Sequence, residues 1–418
     1  MSPVAVVGGL RTPFVKAGGV FSGYHFLDLG SHVVKALVEK LEIDPLLIDE
    51  IVYSTVLLDP RMPNSAREII LRSNLPDTIS AHFVSNNCIS GLVAVNIVRE
   101  GILSGRIRTG LAGGAESMSR PALSLKPAAE EIFIALARAR SIGERVKYLS
   151  KLVAKPGLLI PQPPSPKEPS TGLTMGQHCE MMAKEWNISR EDQDRLALRS
   201  HMNTARAHRE GYLAEEIAPL ELVKNDNIFR PDTSIEKLST LKPVFDRSEK
   251  GTLTAGNSSP LTDGASVVCI MNAEEAARQE RDILGYIEDV RFAGIDPQDG
   301  LLMAPAVALP ELLRKNNLTI DDIDIFEIHE AFAAQVLANL YVWEHGWDKY
   351  NIEPIGRIPE EKINVNGGSI AIGHPFAATG GRLIVSALNE LKRSGKNTAV
   401  ISVCAAGAMA CAMLLRRE

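Results

Sequence analysis

Four side chains in this sequence could do chemistry, and each sits in an unusual setting. Cys88 lies in SNNCISGLVAV (85–95), one short step ahead of Gly91 and an apolar run. A free thiol of pKa about 8.5 is only about 3% ionised at pH 7. The unpaired N–H groups and positive dipole end of a helix N-terminus favour the thiolate, so the position suits a nucleophile. A buried packing cysteine would read the same way. His374 lies in GGSIAIGHPFAATGG (367–381), where small residues crowd one imidazole. Such a group can take a thiol proton near neutral pH. Cys404 ends the β-branched run of VISVCAAGAMACAML (400–414). The small residues after it leave backbone N–H groups open to a ligand oxygen, and the thiol suits acid–base work. A packing crossover of small residues is the other reading. His329 lies in EIHEAFAAQ (327–335), a strand end meeting a helix start, and Glu330 beside it reads as a helix-start carboxylate.

Positioning these groups takes an α/β frame. Strand-like VAVVGG (4–9), helix-like LGSHVVKALVEKL (29–41) and strand-like IDEIVYSTV (48–56) open the chain. The order then recurs. Residues 307–331 echo 34–56, with Leu318, Ile323 and Phe326 spaced like Ile43, Ile48 and Ile51. Residues 378–408 parallel 88–117: glycine leads each helix, Ser-Gly ends it, and a strand runs into small residues. This predicts two related α/β halves. The middle differs. Prolines at 156, 161, 163, 164, 166 and 169 exclude regular helix there, and 174–215 reads as long helices with charged faces. The expected division is 1–120 for the first part of the N-terminal half, 121–250 for an insert, 251–275 for the return, and 276–418 for the C-terminal half. The Lys/Arg-bearing stretch 126–155 reads as a solvated helical face.

Composition narrows the class. The chain has 418 residues, 45% apolar and 23% charged, as in a globular protein. Its net charge of −6 offers no basic field for nucleic acid. Five scattered cysteines without a CxxC pair argue for a reducing compartment. The start reads as strand and turn, no apolar run reaches membrane-spanning length, and a cytoplasmic protein is expected. No His, Cys or Asp spacing suits a metal, and GGLRTPFVKAGG (8–19) lacks the dinucleotide and P-loop glycine patterns.

Taken in order, RTPF (11–14), NSAREI (64–69), NNCISGL, GGAESMS (113–119), MGQHCEMMAKEWNISREDQDRLALRSH (175–201), LKPVFDRSEKGTLTAGNSSPLTDGAS (241–266) and the histidine and cysteine motifs resemble the thiolase superfamily along almost the whole chain. The resemblance implies a layered α-β-α-β-α core with an inserted loop domain. It implies Cys88 as the acylated nucleophile, His374 as its activator, and Cys404 as the thiol that moves a proton at the α-carbon. His329 stands where the family's Asn-Glu-Ala-Phe motif has asparagine and would help polarise the thioester carbonyl. The backbone N–H groups of Cys88 and Ala406 would form an oxyanion hole. Met175, Ala255, Ser259 and Phe332 match positions lining the coenzyme A and acyl path. Histidine at 329 resembles the β subunit of fatty-acid β-oxidation complexes. Ala408 and Ala410 stand where glycines are common.

The implied reaction is cleavage of 3-ketoacyl-CoA by coenzyme A, a co-substrate, with no permanently bound cofactor. The implied assembly is a homodimer, extended to α2β2 by a hydratase/dehydrogenase subunit, with the 126–155 stretch available to that partner or to a membrane. Alternatives at this level are an acetoacetyl-CoA-forming acetyltransferase, a ketoacyl synthase type of condensing enzyme, and an inactive lipid-binding subunit.

Overall fold

The structure, a computed structural model, describes residues 3–418. Ten strands run β1 (Val4–Arg11), β2 (Val15–Lys16), β3 (Glu50–Ser54), β4 (Ser80–Val84), β5 (Thr109–Glu116), β6 (Thr262–Asn272), β7 (Gly285–Gly294), β8 (Ile325–Ile328), β9 (Thr398–Ala405) and β10 (Met409–Arg416). They lie in the order β4-β3-β5-β6-β1-β7-β10-β9-β8, with β2 paired on β6. One pairing scheme occurs twice. β1–β6 and β6–β5 are antiparallel and β5–β3 parallel. Equally, β7–β10 and β10–β9 are antiparallel and β9–β8 parallel. The repeat in the sequence therefore falls on equivalent elements: β3 with β8, β5 with β9, and helix Ser90–Leu103 with helix Thr379–Ser394. The halves meet through two residue pairs of β1 and β7, Ala5↔Tyr286 and Val6↔Gly285.

β9 and β10 are apolar apart from Thr398, Ser402 and Arg416 because both faces are covered, and their pleat divides them between two cores. Ile401, Val403, Cys411 and Met413 join Val6, Val52 and Val268 of the first half around the two central helices. Val400, Ala412 and Leu414 turn the other way, onto outer helices Pro305–Lys315 and Ala333–His345. On the far side, helix Phe26–Lys40 lies against Tyr53 and Ile69. These are the five layers. The two central helices touch at their first turns. A Cβ on Gly91 would stand 2.5 Å from the Ala377 carbonyl oxygen, and one on Gly380 would stand 2.8 Å from the Leu92 nitrogen. Glycine is required there because any side chain would push the two helix starts apart.

The chain packs as two compact units: a main one with the residues up to Val56, Asn64–Arg120 and Lys167–Glu418, and a small one with Leu57–Pro63 and Pro121–Pro166. Of the expected insert 121–250, residues 167–250 thus pack with the main unit. The reason is visible in helix Arg190–Arg209, where the Ser200 hydroxyl donates to Glu330, and Asn203 and Arg206 donate to the carbonyls of Asn364 and Val365. The small unit carries helices Pro127–Arg138 and Ile142–Ala154, the second opened by a Ser141/Glu144 capping box. Ile142, Val146, Leu149 and Val153, which share a face of that helix, are exposed, so its outward side is apolar as well as charged. Among the described residues no helix is long and apolar enough to cross a membrane.

Candidate active site

The convergence of the two central helices brings together the chains that lead into them. Cys88 precedes helix Ser90–Leu103, and His374 precedes helix Thr379–Ser394. The Cys88 loop is stitched by Ser90, whose Oγ accepts from the Asn86 N–H at 2.7 Å and donates to the Asn87 carbonyl at 2.6 Å. Asn87 sits in the left-handed region at φ +48°, which asparagine tolerates well. Its Nδ2 donates to the Ala406 carbonyl at 3.0 Å and so ties this loop to the turn after Cys404.

That turn closes β9 onto β10 in the register Met409↔Ala405. Gly407 and Ala408 lie at φ +77° and +55°, so alanine at 408 is accommodated, with strain. Glu168 accepts the Gly407 N–H at 3.0 Å. The N–H groups of Ala406 and of Cys88 itself reach the Cys88 sulfur. These are the two donors expected to hold an oxyanion. Burial outweighs them and pushes the thiol up to about 12. This direction opposes the pull of the helix N-terminus toward the thiolate. Cys404 is buried and its thiol is raised well above the ordinary value, first by burial and then by the neighbouring sulfurs of Cys88 and Cys179.

His329 follows β8, and its N–H donates to the Ser402 carbonyl of adjacent β9 at 2.8 Å. This places it beside the strand end that carries Cys404. Its ring lies 4.0 Å from that of His374, centroid to centroid. Nδ1 of His329 bonds Ser369 Oγ at 2.8 Å, and Nδ1 of His374 bonds Thr379 Oγ1 at 2.6 Å. Neither Nε2 has a hydrogen-bond partner among the described residues, although both are buried. Two adjacent imidazole nitrogens without a protein partner are available to a ligand. Burial and then Arg382 lower His374 to about 3, and burial, His374 and Arg382 lower His329 well below its ordinary value. Both imidazoles are neutral at pH 7. A neutral imidazole offers one donor and one acceptor, which is what proton transfer from a thiol and hydrogen bonding to a carbonyl require.

Glu330 is not a simple helix-start carboxylate. It is buried and accepts from Ser200 Oγ at 2.7 Å, Asn364 Nδ2 at 2.6 Å and the Ile370 N–H at 3.2 Å, fastening the loop before His374 to the strand end that bears His329. Asn364 and Asn87 are the tethers that sequence reasoning passed over. Their signal was only an asparagine beside a motif.

Ala255 and Ser259 line a cavity of about 420 Å³ with Phe245, His201, Lys16 and Arg230. Met175 and Phe332, partly buried, pack against the apolar cluster that holds Cys404 and Cys179. Phe332 meets Phe245 edge to face, with ring centroids 5.9 Å apart. The Ser259 N–H bonds the Ala331 carbonyl at 3.0 Å, which fixes the return segment against the start of helix Ala333–His345. No group of three His, Cys, Asp or Glu side chains among the described residues is arranged to hold a metal.

Residues 4–274 match the thiolase N-terminal domain and residues 281–417 the thiolase C-terminal domain. The chain belongs to the thiolase family. It is 42% identical to a 3-ketoacyl-CoA thiolase of Pseudoalteromonas translucida over 99% of this chain and 96% of that protein. A 3-ketoacyl-CoA thiolase of Colwellia psychrerythraea is 41% identical over 99% and 97%. The crystal structure of the Bacillus anthracis acetyl-CoA acetyltransferase, a solved thiolase-fold relative, superposes with a TM-score of 0.83 at 28% identity, covering 100% of this chain and 99% of that one.

Proposed function

We propose that this thiolase cleaves 3-ketoacyl-CoA with coenzyme A to acyl-CoA and acetyl-CoA, the closing step of fatty-acid β-oxidation, through an acyl-Cys88 intermediate. The observation that carries it is the pair of buried, unpartnered Nε2 atoms on His329 and His374, whose ring centroids lie 4.0 Å apart. In the first half-reaction Cys88 gives its proton to His374 Nε2 and its sulfur attacks the keto carbon, whose oxygen is held by the N–H groups of Cys88 and Ala406. The bond between the α- and β-carbons then breaks. The electron pair moves into the acetyl-CoA enolate, whose oxygen is met by the histidines, and Cys404 protonates the α-carbon.

In the second half-reaction the thiol of coenzyme A gives its proton to Cys404 and attacks the acyl-Cys88 thioester. Cys88 leaves and recovers its proton from His374, so every group returns to its starting state. With Cys88 at about 12 and His374 at about 3, the resting pair is neutral, and charge separates only with substrate in place.

The cavity at Ala255 and Ser259 suits the pantetheine arm, and Lys16 and Arg230, exposed at its rim, suit the phosphates. Met175 and Phe332 suit the acyl path. The identities of 42% and 41% to 3-ketoacyl-CoA thiolases, against 28% to an acetyltransferase, favour ketoacyl cleavage over acetoacetyl-CoA formation. A cytoplasmic homodimer paired with a hydratase/dehydrogenase subunit accords with histidine at 329; light scattering of the co-expressed chains tests it.

The decisive experiment follows loss of 3-ketoacyl-CoA by ultraviolet absorbance and acylation by intact-protein mass. The wild type acylates and turns over, and Cys88→Ala gives no acyl adduct. An adduct on Cys88→Ala, or a wild type without thiolysis, rejects the reading.

A further inference from the structure

We propose that Ser369 and Arg382 are positioning residues that fix the tautomer of His329, so that the two adjacent histidines offer opposite groups, an N–H from His329 and a lone pair from His374. The inference rests on the thiolase reading for its consequence and for the lone pair of His374, and on geometry alone for the tautomer of His329.

Ser369 Oγ is shared. Arg382 Nη2 donates to it at 2.9 Å, and His329 Nδ1 lies 2.8 Å from it. A guanidinium can only donate, so the serine oxygen accepts from Arg382. The one hydroxyl proton is then free for His329 Nδ1, the other partner of that oxygen among the described residues. Nδ1 thereby becomes an acceptor, and the ring's own proton sits on Nε2. The opposite tautomer would leave the serine proton without an acceptor in a fully buried place, a costly arrangement.

His374 is wired the other way. Thr379 Oγ1, 2.6 Å from His374 Nδ1, donates its own proton to the Pro375 carbonyl at 3.3 Å. With that bond made it accepts from Nδ1–H, and Nε2 of His374 is left as the lone pair, as the base of the proposed reaction requires. Arg382 is itself buried, 3.5 Å from the Glu327 carboxylate. Among the described residues its hydrogen-bonded link to His329 runs through the serine, beside the direct effect of its charge. A hydrogen-bond donor beside a base is what the proposed chemistry needs: one atom to meet the thioester oxygen and one to take the Cys88 proton. Neither Ser369 nor Arg382 touches the reacting atoms.

The test uses the full chain labelled with ¹⁵N-histidine. The His329 signals are identified by their loss in His329→Asn. In the wild type His329 is expected to carry its proton on Nε2 alone. Ser369→Ala should move population to the Nδ1–H form and lower kcat about tenfold, with KM changed less than about twofold. Ser369→Thr, which keeps the hydroxyl, should restore both the Nε2–H signal and kcat. A wild-type His329 protonated on Nδ1 overturns the proposal. So does a Ser369→Ala that loses kcat with unmoved signals, or moves the signals at full kcat. The wild-type measurement needs no altered side chain and reports on His329 even where a variant fails to fold. If wild-type thiolysis is absent while the tautomer is as expected, the function reading fails and the wiring stands.

Discussion

The two halves end their equivalent strands differently. In the first half, β3 closes on Ser54 and Thr55. Ser54 Oγ donates to the Gly113 carbonyl at 2.8 Å, and Thr55 Oγ1 donates to Glu116 at 2.8 Å. Glu116 also accepts the N–H groups of Val56 and Ala377. Every one of these side chains is partnered. In the second half, the positions matching Ser54 and Thr55 hold His329 and Glu330. Glu330 is as fully bonded as Thr55, but His329 keeps one nitrogen vacant. On the next strand the position matching Ala115 holds Cys404, a buried thiol. The same frame thus makes a fully bonded joint in one half and, in the other, one with an unpartnered imidazole nitrogen and a buried thiol. What separates them is whether polar atoms are left without partners. A satisfied group is inert and stabilising, whereas an unsatisfied one is costly until a ligand meets it.

That contrast can be broken most sharply by matched substitutions. His329→Ala is expected to lower kcat by about 10²–10³, the usual cost of one oxyanion donor. Ser54→Ala should leave kcat within about twofold and reduce stability by about 1 kcal/mol. Steady-state thiolysis and urea unfolding measure the two, and equal kinetic losses would erase the distinction.

Acid should expose the cost of the reactive joint. His374 is held at about 3, His201 at about 4, and His329 well below its ordinary value, burial being the largest cause in each. A histidine with a depressed folded pKa binds its proton better when unfolded. Its contribution is therefore complete above about pH 6.5 and is lost as pH falls toward the folded value. Each such histidine should lower stability by about 1.4 kcal/mol per pH unit below 6.5. Urea midpoints at pH 7.5, 6 and 5 check this, and His374→Asn should flatten the slope by about one proton.

The smallest effect concerns the turn after Cys404. Ala408→Gly relieves a left-handed alanine at φ +55° and should stabilise the fold by about 1 kcal/mol, read as a rise in the urea midpoint.

Much of this site was legible because its signals are local. Cys88, His329, His374 and Cys404 each stand among small residues or at strand ends, and the repeated strand–helix order follows from apolar spacing over short windows. The extent of the insert was not legible, since residues 167–250 join the main unit through bonds to residues far along the chain, such as Ser200 to Glu330. Asn87 and Ser369 look ordinary in sequence, and their work depends on where Ala406 and Arg382 arrive.

The amino-acid order by itself determined which groups could react, which strands are covered on both faces, and that one α/β scheme occurs twice, because side-chain type and periodicity act within a few residues. The tertiary structure alone decided that burial raises the Cys88 thiol, that two buried histidines lie ring beside ring with unpartnered nitrogens, and that a buried serine stands between one of them and an arginine. Desolvation and hydrogen-bond partnership depend on which distant segments exclude the water, and that is settled only when the layers close.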